Sequence, residues 1–269
     1  NGLKSVAETE DGLSIALEKG SLQAHMLLLS IGVRPDSSLA AGCGLHLNSR
    51  GAIITDNHMC TNQPDIYAVG DAVEVRNFVT GEPALIPLAG PANKEGRIAA
   101  DNICGTESVY TGTQGSSILR LFEMTAASTG LNEQTAKAAG IEYDKTYVYS
   151  ASHASYYPGA KNMSIKILWD SNTLRLLGAQ IVGFDGVDKR LDVLATAIRF
   201  HAKATDLAGL ELCYAPPFGS AKDPVNMAGF VAENVIKGKL KQFFWEDVDS
   251  LPRDGSVTLL DVRTETERA

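Results

Sequence analysis

Residues Thr61-Asn62-Gln63-Pro64-Asp65-Ile66-Tyr67-Ala68-Val69-Gly70-Asp71-Ala72 decide how the rest of the chain is read. The run Ile66 to Val69 has the apolar, β-branched character of a short buried strand, and Gly70-Asp71 stops it. Ligands of open α/β sheets bind beyond the carboxyl ends of the strands. A glycine at that point lets the backbone come close to a ligand. An aspartate beside it can accept a hydrogen bond from a sugar-like hydroxyl. Gly70, Asp71 and Ala72 are therefore candidate ligand-binding residues. Gly-Asp by itself is far more often an ordinary solvated turn, so its neighbours have to carry the argument.

Downstream, Val73 to Val79 reads as extended, with a turn at Thr80-Gly81-Glu82-Pro83. A helix is predicted from Gly90-Pro91 to about Ile103, because proline is tolerated near a helix start where its missing N–H has no partner anyway. Upstream, Ser14 to Leu17, Met26 to Ile31 and Ile53 to Thr55 read as strands. Met26 to Ile31 is continuously apolar, as expected of a strand covered on both faces. It ends at Gly32-Val33-Arg34-Pro35. So few strands do not make a domain, and the opening reads as the tail of a larger unit.

From Ile118 the order becomes α+β. Met163 to Trp169 and Leu174 to Val182 flank the turn Asp170-Ser171-Asn172-Thr173 and predict a hairpin. Val187, Leu191, Leu194 and Ile198 repeat at helical spacing, and Pro224 to about Lys237 reads as a further helix ended by Gly238. After a charged, aromatic connector, Val257 to Arg263 predicts a new strand without partners. The expectation is a sequence cut at both ends.

The net charge of −8, with no Lys/Arg cluster, argues against a nucleic-acid partner. The longest apolar run is too short to span a bilayer, and Asn1-Gly2-Leu3-Lys4 opens no secretory signal. Cys43, Cys60, Cys104 and Cys213 form neither a CxxC pair nor a zinc pattern, which predicts a reducing, cytoplasmic setting and no metal.

The stretch from Thr61 to Ala72, following Gly32 to Pro35, resembles the second FAD fingerprint of the FAD-dependent pyridine nucleotide–disulfide oxidoreductases. The resemblance implies that Asp71 holds the ribitol of FAD. Leu88-Ala89-Gly90-Pro91-Ala92-Asn93-Lys94-Glu95-Gly96-Arg97 resembles the family's next helix, whose N-terminus approaches the flavin. That implies cofactor roles for Ala89 and Pro91 and a substrate contact for Asn93. The physics agrees, because reduced flavin is negative where a helix N-terminus offers free N–H groups and a positive dipole end.

Leu212-Cys213-Tyr214-Ala215-Pro216-Pro217-Phe218-Gly219-Ser220-Ala221-Lys222-Asp223-Pro224 lacks the histidine–glutamate pair of glutathione reductase-like members. It resembles the single-cysteine branch, which includes CoA-disulfide and persulfide reductases and some NADH oxidases. Ser155-Tyr156-Tyr157-Pro158-Gly159-Ala160 and the segment from Gly186 to Val193 strengthen the match. The resemblance implies catalytic roles across a homodimer interface for Tyr214 and for Tyr157 or Tyr156. It also implies a cofactor contact for Phe218 and a CoA contact for Lys222. Cys43, Cys213 and His153 are expected to have no catalytic role, and Cys213 is expected to pack as a small apolar residue. Asp261-Val262-Arg263-Thr264-Glu265-Thr266-Glu267 resembles the first strand of a rhodanese domain, whose catalytic cysteine would lie beyond Ala269.

The fold expected is α/β for a partial FAD/NAD(P)-binding region, followed by an α+β dimerisation domain. Residues 1–34 would be the tail of an NAD(P)H-binding domain and 35–110 the C-terminal segment of an FAD-binding domain. Residues 111–238 would form the dimerisation domain, 239–248 a linker and 249–269 the start of a rhodanese-like domain. No GxGxxG occurs in the chain. The implied reaction carries electrons from NAD(P)H through FAD to CoA disulfide, CoA persulfide or a related persulfide, using a cysteine outside this sequence. An NADH oxidase and a non-catalytic dimerisation fragment remain the alternatives. NADH and NADPH are not distinguished.

Overall fold

The computed structural model describes residues 2–268, apart from the side chain of Glu267. It opens with an antiparallel meander of β1 (Leu3–Thr9), β2 (Gly12–Leu17) and β3 (Ser21–Ala24). Met26 to Ile31, predicted as a buried strand, forms none and is exposed apart from the half-buried Leu27, with Leu28 at 84% and Ile31 at 88%. A strand needs a ladder partner for its N–H and C=O groups, and no described segment runs beside this one.

Helix α1 (Ser38–Gly42) leads to β4 (Ile53–Ile54), which pairs in parallel with β5 (Val73–Arg76). Strand β6 (Pro83–Ala84) adds antiparallel to β5. Helix α2 (Ala89–Ile103) covers this small sheet through a core of Met59, Val73, Val75, Ala99 and Tyr110. The parallel pair under a helix is the α/β part of the fold. Ile66 to Val69 is a second departure from the sequence reading: only a single bridge, Tyr67 with Cys60, forms there, and Ile66 and Val69 are exposed. Its β-propensity is real but has no neighbouring strand to act on.

The second unit is an α+β layer. Strands β7 (Ser117–Leu121), β8 (Met124–Gly130), β9 (Tyr143–Ala151), β10 (Asn162–Asp170) and β11 (Leu176–Gly183) form one antiparallel sheet in the order β7-β8-β11-β10-β9. Helix α3 (Glu133–Ala138) follows β8, started by an Asn132–Thr135 capping box. The predicted hairpin is β10–β11. Alternate residues of β10, Met163, Ile165, Ile167 and Trp169, face a core completed by Val187, Leu191, Leu194 and Ile198 of helix α4 (Val187–Arg199). Helix α5 (Pro224–Ile236) closes the same core with Val225, Ala228 and Ala232. It lies so close to the 3-10 turn Ala204–Gly209 that a Cβ on Gly229 would stand 2.3 Å from Ala208 N. Arg199 joins the two units, donating to Gly112 O and Thr111 Oγ1 and lying 4.2 Å over the Phe78 ring.

The connector after α5 is docked rather than free. Gln242 accepts from Thr146 Oγ1 at 2.6 Å and donates to Lys145 O at 3.0 Å. Lys145, its side chain 9% exposed, donates to Glu133 at 2.8 Å and Glu246 at 2.5 Å and lies 4.2 Å over the Phe244 ring. Lys166 also pairs with Glu133. Beyond the turn Trp245–Ser250, Val257 to Arg263 forms no strand and is largely exposed, because no described strand runs beside it; helix α6 (Glu265–Arg268) follows. Among the described residues no helix is long and apolar enough to cross a membrane.

Burial disfavours ionised Glu133, but hydrogen bonds from Lys145, Lys166 and Tyr143 outweigh it and hold the carboxyl down at about 2. A depressed acid contributes stability above its ordinary range and loses it as pH falls toward its folded value. Glu133→Ala should therefore lower stability at pH 7 by about 2 kcal/mol. It should also speed amide exchange in residues 240–247. In urea titrations, the gap to the native protein should close as pH falls from about 4.5 toward about 2. A gap independent of pH would separate the connector's docking from this carboxylate.

Candidate functional site

Two clusters contain the residues singled out in the sequence. The first surrounds the Gly70–Asp71 turn. Gly70 has φ of 87°, a conformation that favours glycine. Its N–H donates to Glu95 Oε2 at 2.8 Å, and its C=O accepts from Val73 N at 3.1 Å. Ala72 O accepts from Ile53 N, tying the turn to β4. Asp71 is exposed. A Cβ on Gly70 would stand 4.0 Å from the Ala92 Cβ, so the turn faces the first turn of α2. Leu88, the N-cap of that helix, supplies no side-chain acceptor, and Pro91 has no N–H to satisfy. Ala89 and Gly90 lie exposed at this end. Asn93, predicted to touch substrate, turns back to donate to Ala89 O at 2.9 Å.

Glu95 was not among the sequence candidates. It is 1% exposed, and burial pushes its carboxyl up against the opposing hydrogen bond from Gly70. The Tyr110 phenol beside it is pushed up to about 12, first by burial and then by the Glu95 charge. The available signal was position: Glu95 stands one helical turn before the buried Ala99.

The second cluster is built from the loop 152–161 and the loop 211–223. Tyr156 and Tyr214 meet through their hydroxyls at 3.1 Å, and this bond raises the Tyr156 phenol above its ordinary value. Both rings are exposed. Tyr157 is less exposed and lies edge-on to His153, the ring centroids 5.7 Å apart. His153 is buried, with Nδ1 bonded to Ala154 O. Phe218 sits on the same loop as Tyr214, 70% exposed, and Lys222 is exposed near the loop's end. Cys213 is exposed rather than packed, because this loop runs over the surface. Among the described residues no group of three or more His, Cys, Asp or Glu side chains is arranged to hold a metal.

Arg190 holds the two loops together. It is 2% exposed and donates through Nη2 to Asp223 Oδ2 at 2.9 Å and to Ser152 O at 2.6 Å. Its Nη1 reaches Gly186 O at 3.3 Å, and Asp223 caps α5 by accepting from Val225 N at 3.0 Å. A direct bond from Ala154 N to Gly219 O stitches the loops a second time.

The comparisons with known proteins place the chain in a family. The family model "Pyridine nucleotide-disulphide oxidoreductase" matches residues 2–96, and the model of that family's dimerisation domain matches residues 118–224. The chain belongs to the pyridine nucleotide–disulphide oxidoreductases. These are FAD-dependent enzymes that use NAD(P)H as reductant. Reduced CoADR-RHD of Bacillus anthracis is 47% identical, with a TM-score of 0.86 over 90% of this chain and 44% of that one. An NAD-dependent persulfide reductase from A. fulgidus is 36% identical, with a TM-score of 0.87 over 93% of this chain and 46% of that one. A coenzyme A disulfide reductase of Staphylococcus epidermidis is 32% identical over 83% of this chain and 51% of the relative. The chain thus spans about half the length of the curated relatives it matches.

Arg190→Met should strand a buried Asp223 charge and cost about 3–5 kcal/mol, read as a lower urea midpoint. Adding Asp223→Asn removes the stranded charge and keeps an N-cap residue, so the double variant should recover part of the loss. A double variant no more stable than Arg190→Met would show that the pair is not what holds the loops.

Proposed function

We propose that this chain forms the flavin-binding and dimer-forming part of a homodimeric, cytoplasmic NAD(P)H-dependent reductase of CoA disulfide, CoA persulfide or a related persulfide. The observation that carries this reading is the Tyr156–Tyr214 pair, held at 3.1 Å on two clamped loops. The names of relatives support the substrate class: one is a coenzyme A disulfide reductase and another a persulfide reductase. Strand β7 supports self-association, since Ile118, Leu119, Leu121 and the adjacent Phe122 are all exposed. The four cysteines are free, which suits a reducing compartment. The domain boundaries given above, including a rhodanese-like start at 249, belong to the same proposal.

The first cluster suits FAD. The positive φ of Gly70 leaves its backbone uncovered by a side chain, Asp71 presents an acceptor to solvent, and α2 begins without a side-chain cap. Asp71 would accept from a ribityl hydroxyl, Gly70 and Ala72 would line the approach, and Ala89 and Pro91 would bring the positive end of α2 to the ring system. Bound FAD supplies transfer of electrons between NAD(P)H and a disulfide. The tyrosines act on the substrate side. Tyr214, with Tyr156 as its partner and Tyr157 nearby, would donate a hydrogen bond to a departing thiolate. Phe218 would pack beside a bound cofactor, Lys222 would meet a CoA phosphate as a point charge, and Asn93 would turn toward substrate. The cysteine that accepts the electrons would come from outside this sequence.

In the full-length protein, Asp71→Ala should weaken FAD binding about 10- to 150-fold, for a loss of about 1.5–3 kcal/mol. Flavin fluorescence titration measures this, and undiminished retention would remove Asp71 from the site. Tyr214→Phe tests the other half: flavin reduction by NAD(P)H in stopped flow should be normal. Turnover with CoA disulfide or persulfide should fall, by up to about 10²–10⁴-fold if no second phenol substitutes. Native turnover in Tyr214→Phe and in its doubles with Tyr156→Phe and Tyr157→Phe would make the tyrosines structural.

A further inference from the structure

We propose that Glu95 is a positioning residue of the flavin site, fixing the Gly70–Asp71 turn against the first turn of α2. This rests on the FAD reading above and adds a residue to it. A carboxylate at 1% exposure is costly to bury, and none of the ion pairs among the described residues includes Glu95. An apolar side chain there would pack with Ala99 and Ile98 at no such cost. What Glu95 does hold is the Gly70 N–H, at 2.8 Å. That N–H lies just beyond the single Tyr67–Cys60 bridge, whose last backbone bond from this segment runs from Ala68 N to Met59 O, so the ladder does not reach Gly70. A carboxylate oxygen gives it a short, directional bond.

The consequence is geometric. Gly70 is fixed in its left-handed conformation by a residue of α2 itself, so the side chain of the next residue, Asp71, takes its direction from that helix. Asp71 and the N-terminus of α2 are the groups assigned to adjoining parts of one ligand, the ribityl chain and the ring system. Glu95 is the side chain that sets their spacing. The Tyr110 hydroxyl is buried beside Glu95, whose charge helps to hold the phenol up. Additional chain around the turn cannot expose a side chain already this buried.

The test uses the full-length flavoprotein, with FAD affinity and the visible circular dichroism of bound flavin as readouts. Glu95→Leu removes the acceptor and should raise the FAD Kd at least about tenfold and alter the flavin spectrum. Glu95→Gln keeps an oxygen at the same reach and should restore both, the Kd to within about threefold. Should Glu95→Leu fail to accumulate, Glu95→Asp withdraws the oxygen by one methylene while keeping the charge, and should show the same loss. The proposal is overturned if Glu95→Leu or Glu95→Asp binds FAD like the native protein with an unchanged spectrum. It is equally overturned if Glu95→Gln loses as much as Glu95→Leu. Asp71→Ala is the control: if it too retains FAD, the flavin reading has failed, whereas loss there with retention in the Glu95 variants fails the positioning role alone.

Discussion

The buried contact between Arg190 and Asp223 is the constraint on which the tyrosine cluster depends. Loops have no ladder to hold them, so side chains joined by a few hydrogen bonds usually wander. Here one planar guanidinium reaches a carboxylate, Ser152 O and Gly186 O at once. Those partners lie at the start of the Tyr156 loop, at the start of α4 and at the end of the Tyr214 loop. A lysine could supply the charge but not the fork. Paired buried charges contribute little net stability against apolar replacements, so the pair is better understood as fixing where the loops go than as strengthening the core.

The same pair is coupled to the packing beneath it. Asp223 begins α5, and α5 is pressed onto the 3-10 turn through Gly229 and through Asn226, which donates to Leu207 O and Leu210 O. Arg190 itself lies on the stripe of α4 that carries Val187, Leu191 and Leu194 into the core. Moving either loop would therefore disturb a helix whose other residues are locked in place.

What was legible in the sequence was local. The β10–β11 hairpin, α4 and α5 follow from alternation, 3.6-residue periodicity and the punctuation by Pro224 and Gly238. Met26 to Ile31, Ile66 to Val69 and Val257 to Arg263 have strand composition, but a strand is a property of a pair; among the described residues the first and last have no partner strand and the second has only the Tyr67–Cys60 bridge. At the site, resemblance brought the two tyrosine loops together but left Tyr156 and Tyr157 undivided. Only side-chain placement separates them, Tyr156 toward Tyr214 and Tyr157 toward His153. Arg190 and Glu95 escaped notice because charged residues are normally read as surface, and their partners are 33 and 25 residues away.

The docked connector has a consequence for the sheet it touches. Strand β9 is an edge strand, and an edge offers unpaired backbone groups to any other extended chain. Gln242 occupies one such carbonyl, at Lys145, while Phe244 and Glu246 cover the side chains next to it. The segment after α5 is thus also a guard against edge-to-edge aggregation. A version trimmed at Gly238 would keep its core and yet become the stickier molecule.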